Sequence, residues 1–285
     1  HPGADRKSKQ NSRKGRTKLP MITPAEIAKN YLSIGEAKAN LSSGKALVLG
    51  ILAGLFIGLA GIASSVATVG GPTPGLGRLL GALIFPAALS MVVVTGCELF
   101  TGNCLMIIPA LEGTITPLGM ARNLAVVYLG NLLGGLIAAA AAVWAHLFDL
   151  FDGALGAYAI TTAAAKCALP FGDALLRGVF CNLLVCLALW MTFAAKEAPG
   201  KIATLFFPIV VFVLCGFEHS VANMYYIPAG LLALGEPSWA AGASGDLSAL
   251  TWGAFLVRNL LPVTLGNMAG GMGLGAIYRW VYLKK

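Results

Sequence analysis

Arg122-Asn-Leu-Ala-Val-Val-Tyr-Leu-Gly-Asn-Leu-Leu-Gly-Gly135 returns 136 residues later as Arg258-Asn-Leu-Leu-Pro-Val-Thr-Leu-Gly-Asn-Met-Ala-Gly-Gly271, identical at nine of fourteen positions. Each copy opens or fills a long apolar segment, so the repeat belongs to membrane helices rather than to a soluble solenoid. Apolar residues make up 57% of the chain and charged residues 11%, too few charges to clothe a soluble globule of 285 residues. The 36 glycines include the rows Gly50/Gly54/Gly58, Gly130/Gly134 and Gly266/Gly270, the small-xxx-small spacing that lets membrane helices approach closely.

Six apolar stretches of spanning length run over 46–69, 79–108, 122–148, 174–195, 202–234 and 252–282. Three spans then lie in each half, so the copies at Arg122 and Arg258 start on opposite faces of the bilayer. An inverted repeat of this kind predicts a site near the midplane where the halves meet. The expected fold is all-α: six transmembrane helices in an inverted 3+3 arrangement over 46–283. Thr23-Pro24-Ala25-Glu26 is a capping box that predicts an interfacial helix within 23–45. Residues 1–22 read as a basic, disordered tail, an added leader if Met21 is the natural start.

The formal charge of +8 does not point to nucleic acid, because ten of the twenty Lys and Arg lie before residue 46. A basic tail at a membrane surface is the simpler account. The loop charges place both termini in the cytoplasm by the positive-inside rule. Five of the six cysteines sit in apolar stretches without CxxC spacing and read as packing residues; neither a metal site nor a cofactor motif is in prospect.

The second and fifth spans share an anomaly. Gly96-Cys-Glu98-Leu-Phe-Thr-Gly-Asn103 and Gly216-Phe-Glu218-His-Ser-Val-Ala-Asn223 place a glycine, an acid and small polar residues in mid-span. Such runs predict broken helices, whose freed backbone groups need protein or a water-filled cavity. Glu98 and Glu218 are expected at the breaks in a structural role, capping freed amides. His219 is a pathway candidate at membrane depth, with a helix-tying neutral histidine as the other reading and Thr101 as its natural partner. Asn182 and Asn223 either satisfy loop carbonyls or line a pore. Leu89, Leu99 and Phe100 on one side, and Phe85 and Phe212 on the other, are candidates for apolar constrictions, against the ordinary reading as core. Lys166 stands alone in the otherwise uncharged run Thr161–Pro170, where a single cation beside a pore mouth would concentrate anions, against the ordinary reading as a solvated loop lysine.

On Glu98-Leu-Phe-Thr-Gly102, Phe206-Phe-Pro208, Gly216-Phe-Glu-His-Ser-Val-Ala-Asn-Met224 and Asn259-Leu-Leu-Pro-Val-Thr-Leu-Gly-Asn267, the chain resembles the formate/nitrite transporter family from about Pro24 onward. The resemblance implies an aquaporin-like bundle in the cell membrane, a homopentamer with one pore per protomer, and passage of small monovalent anions. Formate comes first among them, with nitrite and hydrosulfide as alternatives, and a proton often accompanies the anion. It also implies that His219 faces Thr101 at the centre of the pore. Leu89, Leu99 and Phe100 would form the inner constriction, Phe85, Val185 and Phe212 the outer one. Lys166 would lie in the outer vestibule, with Asn182 and Asn223 along the path. Arg258 need not be standard in that family. A neutral-solute channel of aquaporin type would instead show two Asn-Pro-Ala loop tips, and no Asn-Pro-Ala occurs. A membrane enzyme would need a second catalytic group beside His219.

Overall fold

A computed structural model describes residues 21–284 as helices and short connections; the basic tail, up to residue 20, lies outside the described residues. Six helices among those described are long and apolar enough to cross a membrane: Ser43–Val69 (α2), Pro74–Thr95 (α3), Pro117–Trp144 (α5), Phe171–Ala194 (α7), Ala198–Cys215 (α8) and Ala254–Tyr282 (α10). Between them lie Pro24–Asn40 (α1), Phe100–Leu111 (α4), Ala154–Cys167 (α6) and Ser220–Ala233 (α9). The large apolar side chains left exposed, such as Val48, Leu118, Leu129, Phe207 and Ile277, suit a surface met by lipid or by another subunit.

Local chemistry sets the starts. Thr23, Ser42, Thr73 and Thr116 cap α1, α2, α3 and α5, each accepting an amide one turn on, and proline follows directly in α1, α3 and α5. At Thr23 the capping box is complete, with the Glu26 carboxylate receiving the Thr23 amide at 3.0 Å. Pro86 bends α3 where its ring interrupts the ladder between Ile84 and Ala87.

The glycine rows lie at helix crossings. A Cβ on Gly54 would strike the Asn131 carbonyl, and one on Gly134 that of Ile51, so α2 and α5 touch backbone to backbone. In the second half Gly266 and Gly270 meet the carbonyls of Leu175 and Val179 in the same way, joining α10 to α7.

The second and fifth stretches each divide into two helices, α3/α4 and α8/α9, the breaks that their glycine-acid runs predict. One departure from the sequence reading matters for the site. The segment around Lys166, read as a loop, is helix α6. Its 14 residues are too few to cross a bilayer, but its Ala-rich sequence favours helix and it buries Leu155, Ala159, Ile160 and Ala163. Helices α1–α5 and α6–α10 thereby form two matching sets of five.

Candidate functional site

Both breaks begin alike. Gly96 and Gly216 adopt φ of 73°, the left-handed turn that ends α3 and α8 and that glycine enters without steric cost. Three non-helical residues follow before α4 and α9 start, the last of each, Leu99 and His219, in extended conformation. The groups freed there are answered in the same way in both halves. The Glu98 amide donates to the Leu49 carbonyl at 3.4 Å and the Glu218 amide to that of Arg177 at 3.3 Å. Asn131 accepts the Phe100 amide at 2.9 Å and donates to the carbonyls of Gly50 at 2.8 Å and Glu98 at 3.0 Å. Asn267 accepts the Ser220 amide at 2.8 Å and donates to the carbonyls of Gly178 at 2.8 Å and Glu218 at 2.9 Å. One asparagine thus stitches each break to the flanking span.

Glu98 and Glu218 were expected to cap freed amides; their carboxylates instead take side-chain donors. Glu98 receives Lys38 at 2.6 Å and Asn103 at 2.6 Å, and Asn103 also reaches Asn123 at 2.8 Å. Glu218 receives Lys166 at 2.8 Å and Asn223 at 2.6 Å, and Asn223 reaches Asn259 at 2.7 Å. The amides of Asn123 and Asn259 donate to the carbonyls of Lys38 at 3.0 Å and Lys166 at 2.9 Å. These two Lys–Glu–Asn–Asn clusters are copies related by the internal repeat.

Each cluster lines a vestibule. The first, about 440 Å³, opens beside α1 and includes Tyr31, Lys38, Leu89, Glu98, Leu99 and Asn103. The second, about 600 Å³, opens beside α6 and includes Arg78, Phe85, Lys166, Phe212, Glu218, His219 and Asn223. Between them Ile57, Phe85, Leu89, Leu99, Val185, Ile209, Phe212 and His219 enclose only about 10 Å³, room for a single water at most. Phe85 and Phe212 meet edge to face at 5.7 Å, and Phe212 stacks on His219 at 5.9 Å.

His219 caps the N-terminus of α9: its Nδ1 accepts the Ala222 amide at 3.0 Å. With Nδ1 an acceptor, the proton of the neutral ring belongs on Nε2, 2.9 Å from Thr101 Oγ1, so His219 donates to Thr101. The hydroxyl proton of Thr101 is then left to face elsewhere. The Thr101 carbonyl is held by Asn182 Nδ2 at 3.0 Å and Cys186 Sγ at 3.4 Å.

The structure brings together most of the residues singled out in the sequence. Leu89, Leu99, Phe85, Val185, Phe212 and His219 share the central plug, and Lys166 and Asn223 share the vestibule beside it. Phe100 is elsewhere: its ring packs edge to face on Tyr128 at 4.7 Å and lines an apolar groove with α5 and α10. The helix that starts at Phe100 turns its side chain away from the face Leu99 presents. Asn182 serves carbonyls, those of Thr101 and Asn267. Sequence reasoning missed Lys38, Asn103, Asn123, Asn131, Asn259 and Asn267. The signal was present in the repeat, where Asn123/Asn259 and Asn131/Asn267 are identical polar pairs in apolar helices.

The comparisons agree with this architecture. The formate/nitrite transporter profile matches residues 25–281. The chain is 37% identical to a probable formate transporter of Methanothermobacter thermautotrophicus, over 92% of this chain and 98% of the relative. It is 35% identical to formate channel FocA of Escherichia coli strain K12, over 93% and 96%. A pentameric formate channel with formate bound superposes with a TM-score of 0.77 at 35% identity, covering 85% of this chain and 98% of that one. An FNT family ion channel gives 0.74 at 28%, covering 90% and 98%. Two inverted sets of helices, broken at matching points around a closed apolar plug, and a match running from residue 25 to residue 281 have one meaning: the chain belongs to the formate/nitrite transporter family.

Proposed function

We propose that this protein passes small monovalent anions, formate first among them, through a pore in each protomer of a homopentamer. The observation that carries the reading is the 10 Å³ apolar plug, with His219 in its wall, between two vestibules that each hold a Lys–Glu pair. A hydrated anion does not fit there, and a bare charge is strongly disfavoured between Phe85, Phe212, Leu89 and Leu99. Loss of water raises the pKa of a weak acid, so formate entering the plug takes up a proton from vestibule water. It crosses as neutral formic acid and gives the proton up to water on the far side. The related pentameric formate channel supports both the substrate and the assembly.

Named residues divide the work. Lys166 uses one of its three donors on Glu218, leaving two for an anion at the vestibule floor. Thr101, which receives the His219 proton donor, offers its own hydroxyl proton toward the path, so the pair polarises the anion as it neutralises. Asn223 keeps its Oδ1 free of any protein partner beside the vestibule. We further propose that both termini lie in the cytoplasm of a cell-membrane protein, on the positive-inside argument; the vestibule beside α6 is then the outer one.

Uptake of formate, nitrite and hydrosulfide into proteoliposomes, at about pH 5.5 and about pH 7.5, tests this reading. Saturable formate flux, faster at the lower pH and altered in His219→Ala, is expected. Passage of water or glycerol without anion flux would make it a neutral-solute pore.

A further inference from the structure

The two vestibules are built alike except in charge. Glu98 and Lys38 line the one beside α1 and cancel. In the one beside α6 the charged lining residues are Arg78, Lys166 and Glu218, and Lys166 is already paired with Glu218 at 2.8 Å. Both Glu218 oxygens are occupied, Oε1 by Lys166 and Oε2 by Asn223. Arg78 has no carboxylate partner among the described residues and is exposed, so the net positive charge of this vestibule is its own.

Its geometry leaves the guanidinium available. Nε donates to the Leu214 carbonyl at 2.9 Å, which anchors the side chain on the last turn of α8. Nη2 lies against Gly216, close to where a Cβ would be, so a side chain at that position would crowd the guanidinium head. The fork is thereby fixed at the lip with its remaining N–H groups unclaimed by any protein acceptor, the arrangement that binds a carboxylate in two-pronged fashion. The repeat does not supply an equivalent: the spacing that relates Glu98 to Glu218 puts Ala198 opposite Arg78.

We infer that Arg78 is a capture site for the carboxylate or other small oxyanion at the α6-side mouth, and that it makes the pore asymmetric in anion affinity. Resting on the anion-pore reading above, this assigns recruitment from bulk to Arg78 and leaves Lys166 the short-range contact. Outside the vestibule the same face carries Asp149, Asp152, Asp173, Glu236 and Asp246 against Arg177 and Arg258, a negative balance that does not draw anions. Attraction must therefore come from a cation inside the mouth, acting within the Debye length of about 8 Å.

The test is formate flux by the full chain in right-side-out and inside-out membrane vesicles, with ionic strength varied. From the α6 side, Arg78→Gln should raise the half-saturating concentration roughly three- to tenfold while the saturated rate changes less than about twofold. It should also flatten the salt dependence, and Arg78→Lys should restore most of both. From the α1 side neither variant should matter. Independently of any variant, wild-type flux should depend on salt only from the α6 side. Unchanged affinity and salt dependence in Arg78→Gln overturn the inference while leaving the anion pore standing. Equal impairment in Arg78→Lys and Arg78→Gln also overturns it, by reducing Arg78 to a cap on α8. Absence of anion flux in the wild type overturns both.

Discussion

His219 shows how much of a buried imidazole's chemistry is decided by its neighbours. The imidazole is fully enclosed, 3% exposed, and each nitrogen has one partner. Because Ala222 supplies a donor to Nδ1, Thr101 must accept from Nε2. Thr101→Val should therefore strand a buried N–H, at a cost of about 1–3 kcal/mol. If the proton path runs through this pair, formate flux at low pH should fall roughly fivefold to a hundredfold, whereas Thr101→Ser should stay near wild type. Side-by-side proteoliposome rates decide it; equal rates for Val and Ser would remove Thr101 from the path. At Lys166 the issue is burial. Lys166→Ala leaves Glu218 enclosed without its counter-ion, which costs about 3–5 kcal/mol. The double change Lys166→Met, Glu218→Gln should recover much of that stability without recovering transport. Thermal unfolding in detergent, read beside flux, separates the two effects.

Helices bring their own requirements, most plainly at the two breaks. Asn131 and Asn267 each satisfy three backbone groups that no water reaches. Asn131→Leu keeps the size and removes all three bonds, so at about 1–3 kcal/mol for each stranded group the protein should be destabilised by several kcal/mol. Size-exclusion chromatography and thermal melting of the solubilised protein measure this; a melt unchanged from wild type would contradict the stitch. The helix crossings make a parallel demand. Gly134→Ala puts a methyl group into the Ile51 carbonyl, and overpacking of this kind costs about 1–3 kcal/mol, whereas Gly113→Ala has open space and only its left-handed φ to resist. At α1 the Thr23 amide and hydroxyl hold the Glu26 carboxyl below the usual carboxylate range. A depressed folded-state pKa stabilises above the unfolded value and fades as pH falls through the folded one. Hydrogen exchange at the first turn of α1 should accordingly speed up on acidification through the carboxylate range, and Glu26→Gln should remove that dependence.

The whole molecule is a pair of five-helix sets closed around one plug, and its symmetry explains which features are shared and which are not. Both Lys–Glu–Asn–Asn clusters and both asparagine stitches follow the duplication; His219 does not, since its counterpart is Leu99, and neither does Arg78. The chemistry is thus asymmetric on a symmetric scaffold and drawn from both halves, with Arg78 and Thr101 from the first set and Lys166 and His219 from the second. If the termini are cytoplasmic, a protease added to right-side-out vesicles should spare an epitope tag on either end and cleave it in inside-out vesicles. The opposite pattern would reverse the assignment of the outer vestibule.

Composition, the repeat at Arg122 and Arg258, and the two glycine-acid runs were enough by themselves to determine a six-span inverted bundle broken at Gly96 and Gly216. Those features are local or periodic: span length follows from bilayer thickness, and a glycine beside a charge in an apolar run breaks a helix wherever it occurs. Helix α6, the pairing of Lys166 with Glu218, the stitching asparagines and the turning away of Phe100 were decided only by tertiary structure. Each depends on contacts between residues from 28 to more than 90 apart in the chain, and a side chain's face at a helix restart is set by which neighbouring span it meets. Burial in a low-dielectric interior supplies the physical reason. Every polar group there must find a partner, and only the assembled bundle determines which partner is within reach.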